Sequence, residues 1–140
     1  MKIEDVIRKE GVYVGTVSGV SMYPMLRSRK DTVVICPCTK RPEKYDVVLY
    51  KYRGKYILHR VLEVREDSYV IRGDNCIRKE YGIRDSDIIG ILTAFHRGDR
   101  EIQAQSRACM NYARLWCALF PLRLISGTAL RIQRRLRKGR

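Results

Sequence analysis

Apolar residues recur at three- and four-residue spacing only near the two ends of the chain. Ile3, Val6 and Ile7 mark one face of a short helix over residues 2–10, with Gly11 as its stop. Toward the other end Met110, Ala113, Cys117 and Phe120, joined by Leu115, Trp116 and Leu119, give a helix with a broad apolar face that Pro121 ends or kinks. A further, strongly cationic helical stretch runs from about Leu122 to Leu136. Between the ends the helical period disappears. Short β-branched or apolar runs at 12–18, 32–35, 46–52, 56–64, 68–72 and 87–96 predict strands. Arg53-Gly54-Lys55 is a turn that makes 46–64 a hairpin, and Gly90 inside the last strand signals a bulge. The segment GVSMYPML, punctuated by Gly19 and Pro24, reads as a turn, and CPCTKRPEKY as a polar loop. The expected fold class is mainly β, with a short N-terminal helix and basic C-terminal helices.

Composition adds one division to this picture. With 140 residues, 45% hydrophobic and 31% charged, the chain is sized and composed for one globular domain rather than for disorder. Its net charge of +14 is unevenly spread. The acidic residues all lie between Glu4 and Glu101, whereas from Ala104 onward there are nine arginines or lysines and no acid. A β domain over 1–103 and a basic amphipathic tail over 104–140 follow. Such a tail suits an anionic partner, a lipid surface or a nucleic acid. Its longest uncharged run, Leu115 to Leu122, is eight residues, whereas a spanning helix needs about 20. Two readings stay open: an interfacial helix with Trp116 and Phe120 toward lipid and arginines snorkelling, or a helix packed on the domain's own sheet. The N-terminal MKIEDVIRKEG is charged and has no apolar core, so neither a signal peptide nor an anchor helix is expected there. Five cysteines, an odd number, and a single Cys36-Pro37-Cys38 without a second ligand pair predict reduced thiols and no metal.

The candidate chemistry rests on Ser21 and His59. A nucleophilic serine needs a stiff, exposed turn, a base within hydrogen-bond reach and donors for the oxyanion. Gly19 permits close backbone approach beside Ser21, and Pro24 fixes the turn beyond it. An imidazole, which ordinarily titrates near pH 6.5, suits a base at neutral pH. Neither residue is a strong signal alone. Many loops contain Ser-Met-x-Pro by chance, and a histidine inside a strand is most often a packed or surface residue.

Their order along the chain is more specific. SGVSMYPML, YDVVLY, LHRVLEV and IRGDN, in that sequence and rough spacing, resemble the four motif boxes of the signal peptidase I superfamily, which includes self-cleaving SOS-type repressors. The resemblance covers residues 12 to 96. It implies a twisted, partly barrel-like antiparallel β fold. It implies Ser21 as nucleophile, His59 as base in the Ser-His type, and Glu80 or Asp74 as the carboxylate that orients His59. Ser18, Gly19 and Met22 fall in the substrate and oxyanion region, and no cofactor is required. Three features depart from the family pattern: Tyr45 precedes Asp46 where glycine is usual, Gly19 stands where a serine often helps the oxyanion, and the N-terminal membrane helix typical of signal peptidases is not expected from MKIEDVIRKEG. The implied activity is a serine endopeptidase acting on a peptide or precursor protein, in the cytoplasm and peripheral at a membrane through the tail. The rival is an inactive relative that escorts a peptide. Nucleic-acid binding is disfavoured, because the body lacks aromatic-rich basic patches and a helix-turn-helix module.

Overall fold

The computed structural model describes residues 2–124. The chain opens with α1 (Ile3–Glu10), which buries Ile7 and closes at Gly11, whose left-handed backbone (φ 76°) lets its N–H reach the Ile7 carbonyl. Strands β1 (Tyr13–Thr16), β2 (Thr32–Cys36), β3 (Val47–Tyr52), β4 (Lys55–Val64), β5 (Tyr69–Arg72), β6 (Glu80–Ile83), β7 (Ile88–Arg97) and β8 (Arg100–Gln103) follow, and then α2 (Arg107–Ala118). All pair antiparallel in one sheet ordered β1-β2-β7-β3-β4-β5-β6, with β8 on β7. The chain is thus mainly β, as the run pattern predicts.

β3 lies inside the sheet and is covered on both faces, which explains its unbroken run of apolar residues. Its alternate residues feed two cores. Val47 and Leu49 join Ile7, Val33, Leu92 and Phe95 on one side, and Val48 and Tyr50 join Val61, Tyr69 and Ile71 on the other. Arg53 and Gly54, both with positive φ (51° and 76°), make a two-residue turn that fixes the β3–β4 register, so that Val48 faces His59 and Tyr50 faces Ile57.

The irregularity expected at Gly90 is present: Leu49 pairs with Gly90 but Tyr50 with Ile88, so Ile89 is skipped. The glycine is required by close approach, since a Cβ there would stand 2.7 Å from the Cys36 carbonyl oxygen. Two strands escape the hydrophobic pattern. β6 is an edge strand with two exposed central residues, and β8, REIQ, is largely exposed; neither has an apolar run to announce it.

The tail divides at its first helix. Ser106 caps α2 by accepting from the Cys109 N–H (3.3 Å). Cys109 belongs to the first core and Ala113 is fully buried, so α2 packs on the β domain. Residues 120–124 are again helical, and Arg123 N–H bonds the Leu119 carbonyl (3.1 Å). Most of the cationic helix expected over 122–136 lies outside the described residues. Among the described residues no helix is long and apolar enough to cross a membrane.

Candidate active site

The serine turn between β1 and β2 is held by main-chain bonds at its base. Val17 N–H donates to the Asp31 carbonyl (3.3 Å) and Arg29 N–H to the Val17 carbonyl (2.7 Å). Asp31 has no exposed surface, and sequence reasoning passed over it. Its carboxylate accepts from the Arg27 N–H (2.8 Å) and the Arg27 guanidinium (3.0 Å), with Arg97 at 3.7 Å. Burial alone would raise the Asp31 pKa, but the Arg27 bonds and both guanidinium charges outweigh it and hold the carboxyl below its ordinary range. At the tip, Gly19 takes a left-handed φ of 84°, and its N–H donates to the Ser28 hydroxyl (3.1 Å). After exposed Val20 come Ser21, half-buried, and Met22, buried in the first core.

Ser21 and His59 line the same cavity, about 360 Å³, together with Ser18, Met22 and Cys76. Its remaining walls are largely apolar and include Tyr13, Val33, Leu49 and Leu58. Between the Ser21 backbone and His59 lies Gly73. A Cβ at that position would stand 2.6 Å from the Ser21 carbonyl oxygen and 2.9 Å from His59 Nε2, with Cys76 Sγ at 2.8 Å. Any side chain at 73 would wedge the turn and the imidazole apart. The segment after it is stitched to the serine turn: Asn75 N–H donates to the Ser21 carbonyl (2.8 Å) and Asn75 Nδ2 to the Val20 carbonyl (3.1 Å). The Ser21 hydroxyl and the Ser21 N–H carry no hydrogen bond among the described residues. Cys76 shares the cavity, but burial pushes its thiol up and keeps it protonated.

The two carboxylates that the sequence offered for His59 are placed differently, and neither touches the ring. Asp74 is buried in a bidentate pair with Arg60 (2.7 and 2.9 Å). Glu80 reaches His59 through a residue that sequence reasoning missed. Tyr50 O–H donates to Glu80 Oε2 (3.1 Å) and lies 3.2 Å from His59 Nδ1. A phenol has one proton. With that proton on Glu80, Nδ1–H donates to the Tyr50 oxygen, and Nε2, the nitrogen near Gly73 and Ser21, keeps its lone pair. Tyr50 and His59 are diagonal neighbours across the β3–β4 pair, so the relay follows from strand register. Burial lowers the His59 pKa below its ordinary 6.5; the negative charges of Glu80 and Asp74 pull it back only in part. The ring is therefore neutral at pH 7.

The C-terminal helix reaches this region too. Tyr112 O–H donates to Asp74 Oδ2 (3.0 Å), and Trp116 Nε1 (2.8 Å) and Arg123 Nη1 (2.7 Å) both donate to the Asp74 carbonyl. Phe120 lies under the Arg72 guanidinium, 3.6 Å from ring centroid to Cζ. Trp116 and Phe120, expected toward lipid on one of the two sequence readings, are thus engaged with the domain. The exposed large apolar side chains of this segment, among the described residues, are Leu115, Leu119, Leu122 and Leu124.

No protein-family model matches the chain, and no curated protein matches it either.

Proposed function

We propose that the chain is a serine endopeptidase of the signal-peptidase type, with Ser21 as nucleophile and His59 as its base. The observation that carries this reading is the shared cavity: Ser21 opens into it, and so does a neutral His59 whose other nitrogen is committed to Tyr50 and Glu80. The antiparallel sheet, with the serine turn between its first two strands and the histidine on β4, supports the fold that the motif order implies.

In the proposed reaction Ser21 Oγ attacks the substrate carbonyl carbon while its proton passes to His59 Nε2. The negative charge that develops on the carbonyl oxygen is met by the Ser21 N–H, with the Ser18 hydroxyl at the cavity wall as second donor. The imidazolium keeps Nδ1–H on Tyr50, and Glu80 offsets its charge through that bond. Collapse of the tetrahedral adduct hands the Nε2 proton to the leaving amine and leaves an acyl-Ser21 ester. Water, deprotonated by His59, then clears the ester. Neither a cofactor nor a metal takes part.

The substrate in this reading is a peptide or precursor protein met at a membrane. Exposed Arg114 among Leu115, Leu119 and Leu122, and the run of cations that the sequence carries from Arg131 onward, support a peripheral contact with an anionic cytoplasmic leaflet. One observation favours a second reading, a non-catalytic relative that holds a peptide: the Ser21 hydroxyl is not bonded to His59. Unliganded sites are often looser than the reacting complex, which makes this the weaker reading. Incubating a complex peptide mixture with the full chain and with Ser21→Ala, and sequencing new termini by mass spectrometry, separates the two. New termini that appear only with unaltered Ser21 support the peptidase; none, with peptides retained by both proteins, supports the escort.

A further inference from the structure

We propose that Trp116 and Arg123 are positioning residues of the Ser21–His59 site, acting through Asp74. This inference rests on the peptidase reading for its effect on rate, but not for its effect on geometry. Segment 73–76 has two sets of attachments. On one, Asn75 bonds the Ser21 and Val20 carbonyls, and the Asp74 N–H points to Met22 Sδ (3.4 Å). On the other, Trp116 and Arg123 both donate to the carbonyl of Asp74, while Arg60 and Tyr112 take its carboxylate. Between these attachments Gly73 occupies the gap between the Ser21 carbonyl and His59 Nε2.

Apart from Arg60, the second set comes from a part of the chain remote in sequence. Arg123 is 49 residues from Asp74, and Trp116 is 42. Its geometry is built rather than incidental. Trp116 stacks on Tyr112 (centroids 5.9 Å apart, planes at 22°), and the Arg123 guanidinium lies 4.1 Å from the Trp116 ring centroid. Arg123 and the indole N–H therefore reach one carbonyl oxygen as a preformed unit. Asp74 is 3% exposed, so water does not readily replace a donor that is lost. A carbonyl freed from both donors would let segment 73–76 rotate, and Gly73 would leave its place between turn and imidazole. Rate, rather than substrate affinity, is what such a shift costs, because ångström-scale misplacement of reacting groups acts on the transition state.

Trp116→Phe in the full chain keeps the stacked ring and removes only the N–H. Two readouts are compared with the unaltered protein: hydrogen exchange of the Asn75 amide, and kcat and KM for a cleaved peptide. We expect Asn75 exchange to speed up about tenfold and kcat to fall about tenfold at unchanged KM. Arg123→Ala should act in the same direction, and Arg123→Lys, which keeps a donor, should recover most of the loss. Ala108→Gly, on the exposed side of the first turn of α2, should leave both readouts as they are. Unchanged exchange in Trp116→Phe, or equal changes in Ala108→Gly, would overturn the proposal. If the unaltered protein cleaves nothing, the peptidase reading fails by itself, and Asn75 exchange alone decides whether the clamp exists.

Discussion

Removing the Tyr50 hydroxyl tests the relay at its narrowest point. In Tyr50→Phe the ring can stay, but Nδ1–H of a histidine that is 8% exposed loses its acceptor. Leaving one buried donor unpaired costs about 1–3 kcal/mol. The imidazolium of the transition state also loses its path to Glu80. The two bonds, 3.2 and 3.1 Å, place that carboxylate no more than about 6 Å from Nδ1. Unit charges at roughly 6 Å interact by about 0.7 kcal/mol at a dielectric of 80 and about 2.8 kcal/mol at 20. Either loss alone corresponds to a fall in kcat/KM of roughly three- to a hundredfold, at about 1.4 kcal/mol per decade. Glu80→Gln separates charge from geometry, because the amide still accepts from Tyr50. It too should be slower, and its pH profile has a definite sign. The acid limb of kcat/KM reports His59 in the free enzyme. Burial already sets that limb below pH 6.5, and Glu80 opposes the lowering. Removing its charge should therefore move the limb further down, so that the slower variant keeps its activity to lower pH. Steady-state rates from pH 4 to 8 on one peptide give both quantities. A limb that moves up, or a Tyr50→Phe enzyme as fast as the unaltered one, would refute the relay.

Three further outcomes follow from the same geometry. Gly73→Ala places a methyl 2.6 Å from the Ser21 oxygen and 2.9 Å from Nε2, so activity should drop at least a hundredfold while circular dichroism stays native and thermal unfolding reports a loss of about 1–3 kcal/mol. Asp31→Asn leaves the partly exposed Arg27 without its carboxylate and loosens the serine turn, destabilising the fold by about 1–2 kcal/mol in urea titrations at pH 7. Because the folded Asp31 pKa is depressed, its contribution is present above the ordinary carboxylate range and lost as pH falls through the folded value, so mutant and unaltered protein should converge in stability at strongly acid pH. Leu115→Glu with Leu122→Glu should weaken sedimentation with anionic vesicles at least tenfold without changing cleavage of a soluble peptide; equal sedimentation would place the membrane contact elsewhere.

What the chain disclosed in advance divides along physical lines. Long apolar runs and punctuating glycines announced β3, β4 and β7, because buried strands must be apolar and turns need left-handed residues. β6 and β8 carry no such mark, since exposed edge residues answer to pairing rather than to burial. The pair Ser21 and His59 was legible only through the order of the segments around it. Glu80 was legible as a carboxylate near the histidine, but the link through Tyr50 was not, since a tyrosine in an apolar strand reads as core. One signal was available: a buried phenol needs a hydrogen-bond partner, and the Arg53-Gly54 turn fixes a register that puts Tyr50 diagonal to His59. The Asp74 clamp had no local signal at all, since its donors lie more than 35 residues downstream.

Whether Ser21 is a nucleophile activated by His59 is open to direct measurement. A fluorophosphonate reacts covalently with such a serine, and tandem mass spectrometry locates the adduct to a residue. We expect a single phosphonyl group on Ser21, formed faster as pH rises through the His59 titration, and lost in both Ser21→Ala and His59→Ala. No adduct on the folded chain, an adduct on another residue, or labelling of Ser21 that persists undiminished in His59→Ala would contradict it.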